Sequence, residues 1–296
     1  MGNINIASWN ILAAPWASPS FYPPELDLAI LDRNRRGKLN AAMMAAVADV
    51  HDVWCLQEVT VPELERIRAA LSEIGDFEAF HAHNAPEYWS NWLVDGVDWE
   101  ANGPALIVRG NGVAADDNTV REQRVFQELR LGEQGNAAAS MCAVDAATGS
   151  RYRVVAIHLD ADSAETRCVE LRSLIAQLED PVVFGEWCSV PVVVAGDFNC
   201  DTVEGEIADM LRDAGFVDAH TACGQLDPTH PLARPGDSYV ALARIDHIMV
   251  RGLQPVTSAV MDAGVFTIEA PGERFLEHLR RTGTDHLMIA ATCHLQ

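Results

Sequence analysis

Lysine is all but missing from this chain. Of 21 basic residues only Lys38 is a lysine, and 43 acids outweigh them, giving a formal net charge of −22. A protein that follows a duplex along its groove carries a basic stripe against the phosphates, so long duplex DNA is disfavoured as a partner. A metal-filled pocket can still be locally positive within an acidic surface, and the acidity by itself also serves solubility. No C-x-x-C pair occurs among the seven cysteines, Cys55, Cys142, Cys168, Cys188, Cys200, Cys223 and Cys293. An odd set of scattered thiols on a large chain suits reduced cysteines and a cytoplasmic location rather than a disulfide framework. No apolar run approaches the roughly 20 residues that span a bilayer. The opening MGNINIASWN has neither a basic n-region nor an apolar h-region, so no signal peptide is expected.

What remains is ordinary globular material. With 296 residues, 49% of them hydrophobic, the chain can bury a large core, and a single domain over 1–296 is expected. Short runs rich in Val, Ile, Leu and Ala predict strands at 5–9, 53–57, 105–108, 152–157, 190–195, 245–250 and 288–293. The run VPVVVAG is apolar on both faces and predicts a covered central strand. Helical spacing marks 37–50, 62–74, 164–178 and 205–214, the second opening with proline and acids as a helix N-terminus does. Strands alternate with helices in places and with hairpin-length gaps in others, which points to a mixed, layered α/β domain. No repeat of solenoid period is present. Residues 84–103, with Tyr88, Trp89, Trp92 and Trp99, predict a long loop, either functional or anchored by its aromatics.

The chemistry-bearing residues gather where strands end. Asn10 follows INIASW, Glu58 follows VWCLQ and His158 follows VVAI. Asp197 and Asn199 follow VVVAG, Asp246 and His247 lie in ARIDHIMV, and Asp285 and His286 precede LMIAA. Singly, each residue is more often a turn or a helix cap; the conjunction at strand ends is what points to one site. Phosphate-ester hydrolysis needs a hard cation among oxygens, a deprotonated water, neutralised phosphate oxygens and a stabilised leaving group. Mg²⁺, or Mn²⁺ in its place, needs few protein carboxylates because it keeps waters. Glu58 and Asp285 suit it, with Asn10 nearby. Asp197 can take the proton of the attacking water while Asn199 orients that water or a phosphate oxygen. His286, raised by a carboxylate such as Asp246, would bind the phosphate as imidazolium. His158 is a second phosphate contact or a general acid, and Arg244 is the arginine best placed to reach substrate.

These residues resemble the endonuclease/exonuclease/phosphatase superfamily, which includes pancreatic-type DNases, abasic-site endonucleases, neutral sphingomyelinases, inositol polyphosphate 5-phosphatases and mRNA deadenylases. The resemblance runs nearly the full chain through ASWNIL, CLQEV, IHLD, GDFNCD, IDHI and TDHLM. It implies a four-layer sandwich, two mixed β-sheets packed face to face with helices on the outer faces. It also implies roles: Asn10 and Glu58 in the metal and phosphate site, His158 at the phosphate or leaving group, Asp197 activating water with help from Asn199, Asp246 supporting His286, and Asp285 approaching the metal. SWNILA, FYPPE, DRNRRGKL and WCLQEV together look like the opening of deadenylase- and nocturnin-like members. The chain departs from many members at Ile157, where they have Thr or Ser.

Other features are set aside. His81 and His83 would share a strand face but show no third metal ligand. Cys200 has no evident partner base. Arg109, Arg167 and Arg172 could also contact substrate phosphate, but Arg167 and Arg172 lie on an expected helix, where a solvated face is the default, and Arg244 is the better candidate. The expected activity is metal-dependent hydrolysis of a small phosphorylated or nucleotide-type ester. The alternatives are a nuclease on single-stranded RNA or DNA, and a catalytically silent binding module on the same fold. Specificity is expected in the loops at 84–103 and 221–239.

Overall fold

The computed structural model describes residues 2–17, 28–85, 100–110, 124–132, 136–145, 148–230, 242–261 and 271–295. Twelve strands form two six-stranded sheets. The first sheet is ordered β11(Leu253–Val260)-β12(Ile289–Leu295)-β1(Asn3–Asn10)-β2(Val53–Thr60)-β4(Asn102–Arg109)-β3(Phe77–His81). The second is ordered β5(Arg124–Leu131)-β6(Asn136–Val144)-β7(Arg151–His158)-β8(Val192–Asp197)-β10(Asp246–Arg251)-β9(Val217–Asp218). Each sheet holds one parallel pair, β1 with β2 and β7 with β8, among otherwise antiparallel neighbours. Parallel neighbours need a crossover. Helix α1 (Arg33–Ala46) supplies the first and α3 (Ala164–Glu179) the second.

Strand periodicity sorts the side chains into layers. Ile4, Ile6, Val53 and Cys55 from one sheet meet Val154, Ala156, Val193, Ala195, Ile248 and Val250 from the other, making the core between the sheets. The alternate residues Ala7, Trp9, Trp54 and Leu56 face outward onto Met44 of α1 and Ile67 and Leu71 of α2 (Val61–Ser72). On the other side Val155, Ile157, Val192 and Val194 lie under Leu171 and Leu174 of α3 and Leu211 of α5 (Glu206–Asp213). The expected four-layer sandwich is therefore the fold. Two four-residue helices, α4 (Pro181–Phe184) and α6 (Ala219–Ala222), and α7 (Pro271–Thr282) complete the described α-helices.

The strands and helices expected from sequence are all present, with shifted ends. Helix α1 begins at Arg33 rather than 37, because Asp32 caps it by accepting from Arg35 N at 2.8 Å. Strands β3, β5, β6, β9 and β11 and helices α4, α6 and α7 lie outside the sequence expectations. β6 reads NAAASMCAV, poor in β-formers, and becomes a strand because both its faces are buried. β11 carries Pro255, which an edge strand tolerates. Of the long loop at 84–103, residues 86–99, including Tyr88, Trp89 and Trp92, lie outside the described residues, as does Trp99.

Candidate active site

Following the inner-face columns to the carboxyl ends of the two parallel pairs leads to one pocket. Asn10 continues the Ile4–Ile6 column of β1. His158 continues Val154–Ala156 on β7, Asp197 continues Val193–Ala195 on β8, and Asp246 heads the Ile248–Val250 column of β10. The apolar core between the sheets thus ends in a polar rim. His158 and Asp246 are also the lateral register partners of Asp197.

Glu58 has the wrong parity for this. Cys55 faces the inter-sheet core, so a regular strand would send residue 58 outward. Instead the pairing of β2 with β4 slips between Leu56 and Val59, and Glu58 takes a left-handed backbone with φ 58°. Leu12 (φ 57°) and Asn199 (φ 52°) are the other described non-glycine residues with positive φ. All three flank the pocket, and each conformation costs roughly 1–2 kcal/mol. Gly196 is required for a different reason: a Cβ there would lie 2.0 Å from the Ile157 carbonyl oxygen of the neighbouring strand.

Asn10 ties the two sheets' acids together. Its Nδ2 donates to Glu58 Oε1 (3.0 Å) and to Asp197 Oδ2 (3.1 Å), while its Oδ1 accepts from Leu12 N. Glu58 Oε2 accepts from Ala13 N at 2.8 Å. Two imidazoles approach the same Asp197 oxygen, His158 Nε2 at 3.6 Å and His286 Nε2 at 3.7 Å. His286 Nδ1 donates to Asp246 Oδ2 at 2.9 Å. Asp285 lies beside them, its Oδ1 3.9 Å from His286 Nε2. Asn199 ties β8 back to β7, its Nδ2 donating to Leu159 O at 2.9 Å and its backbone N–H to Asp197 Oδ1 at 2.8 Å.

The supporting bonds come from distant segments. Thr284 Oγ1 donates to Asn10 O at 2.7 Å, and Trp9 Nε1 and His278 Nε2 both donate to His286 O. Buried Arg36 of α1 donates to Leu12 O (2.8 Å) and Gly283 O (2.9 Å), holding the loop after Asn10 to the loop before Asp285.

The electrostatics follow from crowded acids in a dry place. Burial pushes Glu58 up, His158 and Asn10 act against it, and the Asp285 charge adds to it. Burial alone would lower His286, but Asp246 and Asp197 outweigh it and raise it well above the usual histidine value. Among the described residues, the only basic side chains in ion-pair contact with Asp197, Asp246 and Asp285 are histidines. The pocket is therefore rich in oxygen donors and short of positive charge, which fits a hard divalent cation.

The pocket gathers Asn10, Glu58, His158, Asp197, Asn199, Asp246, Asp285 and His286. It does not gather Arg244. That side chain is 6% exposed and turned to buried Asp218, with Nη2 at 3.3 Å from Asp218 Oδ2 and Nη1 donating to Thr221 Oγ1. A buried acid recruits the nearest cation, and Asp218 has claimed Arg244. Arg109 pairs with Asp49, Arg172 with Glu206, and Arg167 donates to the Asp160 and Ala161 carbonyls. Burial pushes the Cys200 thiol up to about 11, away from nucleophilic duty at neutral pH. His81 Nε2 donates to Val59 O at 2.8 Å, and its ring packs on His83 at 4.1 Å.

Two pocket residues escaped the sequence reading. Thr229 Oγ1 donates to Asp246 Oδ2 at 2.7 Å, and the His230 ring packs on His286 with centroids 4.6 Å apart. Burial and the charge of His286 lower His230 to about 4. Their only local signal was a Thr-His step between prolines in DPTHPLARP.

The chain matches the Endonuclease/Exonuclease/phosphatase family over residues 7–286. No curated protein matches it by sequence. Similar solved structures include the human Nocturnin catalytic domain with bound sulfate, with 18% identity and a TM-score of 0.65 over 99% of this chain and 94% of that one. A mannosyl-6-phosphatase of Bacteroides thetaiotaomicron has 17% identity and a TM-score of 0.65 over 98% and 99%. The 2′,3′-cyclic phosphatase ANGEL2, in complex with adenosine-2′,3′-vanadate, has 12% identity and a TM-score of 0.69 over 99% and 96%. Motifs, layered fold and converging acids agree with that match, and the chain belongs to the endonuclease/exonuclease/phosphatase family of phosphoester hydrolases.

Proposed function

We propose that the protein is a Mg²⁺-dependent phosphodiesterase or phosphatase for a small or nucleotide-type ester, with Mn²⁺ able to replace Mg²⁺. The observation that carries this reading is the single Asp197 oxygen met by Asn10, His158 and His286 beside Glu58. Glu58 and Asp285 would hold the cation, with Asn10 fixing the Glu58 carboxylate. Bound there, the metal neutralises phosphate charge and lowers the pKa of water. Asp197 accepts the proton of the attacking water, and Asn199 keeps its carboxylate oriented through the Asn199 N–H bond to Oδ1. His286, kept cationic by Asp246, donates from Nε2 to a phosphate oxygen. His158 donates to the phosphate or to the departing oxygen. Arg244 acts at a distance, by holding Asp218 and the segment before β10.

A small substrate is favoured by the net charge of −22, which penalises a long polyanion. Structures of the same fold include a mannosyl-6-phosphatase and a 2′,3′-cyclic phosphatase in complex with adenosine-2′,3′-vanadate, which supports a phosphate-ester substrate of that kind. The test is hydrolysis of bis-p-nitrophenyl phosphate and of a panel of nucleotides, sugar phosphates, short RNA and DNA with Mg²⁺. Activity should vanish in EDTA, return with Mg²⁺ or Mn²⁺, and fall at least about 10³-fold in Asp197→Ala. Undiminished turnover in EDTA or in the variant would refute the mechanism. Cleavage confined to oligonucleotides, with steep salt dependence, would select the nuclease alternative.

A further inference from the structure

The pocket has two chemically different ends. Around Glu58 the available donors are mostly oxygens, from Glu58, Asn10, Asp197 and Asp285, with His158 as the one imidazole acting on it. Around His230 they are imidazole nitrogens flanking a carboxylate. His230 Nε2 lies 4.0 Å from Asp285 Oδ2, His286 Nε2 lies 3.9 Å from Asp285 Oδ1, and one ligand atom from each of the three residues falls within 4.8 Å of the others.

The nitrogen end is built rather than incidental. His230 is locked on both sides by backbone bonds, its N–H donating to Ala243 O and its O accepting from Ala243 N. The preceding residue is fastened to the catalytic dyad: Thr229 Oγ1 donates to Asp246 Oδ2 and accepts from Asp246 N, while Thr229 O accepts from Leu287 N at 2.7 Å. This segment carries His230 against the His286 ring, the two tilted by 52°. His286 Nδ1 is held by Asp246, which leaves Nε2 as its outward nitrogen, the arrangement by which an outer carboxylate orients a metal-binding histidine. The reaction proposed above gives His230 no part.

We infer that His230, His286 and Asp285 form a binding site for a borderline transition ion of the Zn²⁺ class, and that such an ion inhibits the Mg²⁺-supported reaction by occupying His286. Two imidazoles and a carboxylate suit Zn²⁺ or Co²⁺, whereas Mg²⁺ and Mn²⁺ prefer oxygen-rich surroundings. Ligand atoms around a tetrahedral ion with bonds of about 2.0 Å stand about 3.3 Å apart. The His–Asp separations therefore need to close by under about 1 Å, within reach of small side-chain rotations. The ion displaces the proton of His286 Nε2 to solvent and takes the atom that would otherwise donate to phosphate. Zn²⁺ and substrate then exclude one another. This consequence rests on the function proposed above; the binding site does not.

The full chain, stripped of metal, is titrated without substrate, with Zn²⁺ by calorimetry and with Co²⁺ by visible absorption. The expected result is a nitrogen-ligated Co²⁺ spectrum in the wild type. His230→Gln should weaken Zn²⁺ at least about tenfold, the scale of losing even an outer-shell partner, and leave Mg²⁺ binding unchanged. Glu58→Gln should do the reverse, and the isosteric Asp285→Asn should weaken both ions. In the Mg²⁺-supported assay Zn²⁺ should compete with substrate, and His230→Gln should raise the inhibiting concentration by the factor measured for binding. Unchanged Zn²⁺ affinity and Co²⁺ spectrum in His230→Gln overturn the site. Inhibition that substrate does not relieve overturns the mode of inhibition. Absence of hydrolysis with every ester overturns the proposed function alone, since the binding titrations contain no ester.

Discussion

Two Asp–His pairs start from adjacent residues of one strand. Asp246 and His247 are consecutive on β10, so they point to opposite faces of the sheet. Asp246 faces inward and holds His286; His247 faces outward and is held by Asp218 at 2.8 Å. The two pairs are alike in composition and burial. They differ in what the second imidazole nitrogen meets. Among the described residues, the carboxylates facing His286 Nε2 lie at 3.7 and 3.9 Å, beyond hydrogen-bond distance. His247 Nε2 is engaged by Cys200 O at 3.0 Å and Arg244 O at 3.2 Å, with Thr202 and Arg244 closing the network around Asp218. A dyad with an open valence can meet a substrate. A dyad with every valence filled is a rivet.

The contrast can be broken by substitution. His286→Gln should lower kcat by roughly 10²–10⁴-fold with little change in thermal stability, read by steady-state kinetics and calorimetry; a loss below about tenfold would remove His286 from the chemistry. Asp218→Ala should do the opposite. It strands Arg244 and His247 and uncaps α6, whose His220 and Thr221 N–H groups bond Asp218 Oδ1. A cost of about 3–5 kcal/mol is expected, with kcat of the folded fraction within a few-fold of wild type. Large kinetic loss without destabilisation would erase the distinction.

A third buried acid sharpens the comparison because it has hydrogen bonds but, among the described residues, no ion-pair partner. Glu170 accepts from Asn136 Nδ2 (2.6 Å) and Asp160 N (2.8 Å). Burial lifts it from 4.5 to about 7. Asp218 would also be lifted by burial, but the hydrogen bond and charge of His247, with Arg244, hold it well below the carboxylate range. The two contribute to stability with opposite signs. Glu170 favours the folded state fully below its unfolded value, and that contribution is lost as pH rises through about 7. Asp218 favours folding above its unfolded value and loses that as pH falls. Glu170→Gln should therefore flatten the decline of unfolding free energy between pH 5 and 8, a span worth up to about 3 kcal/mol. An unaltered slope in denaturant titrations would show the carboxyl is not what titrates.

The sequence exposed those parts of the molecule in which one residue's chemistry coincides with strand period. Asn10, His158, Asp197 and Asp246 stand in line with apolar columns, so both the strands and the pocket-facing residues were legible. Glu58 could be read by its neighbours but not by its direction, because a backbone slip, not parity, turns it inward. Arg244 misled because sequence distance to Asp246 says nothing of Asp218, whose claim on it arises only in the folded chain. His230 was hidden for the same reason: a bridge to Ala243 places it, and nothing local marks that pairing. β6 stayed hidden because its alanines derive their strand character from being covered on both faces.

The left-handed backbone at Leu12, Glu58 and Asn199 means that this molecule would be more comfortable without its trade. Glycine accepts such torsions freely, and removing one of several mutually repelling buried acids relaxes the apoprotein further. A selection for thermal endurance alone should therefore drift toward Gly at position 58 and, more weakly, at 199, giving up the roles proposed for those side chains.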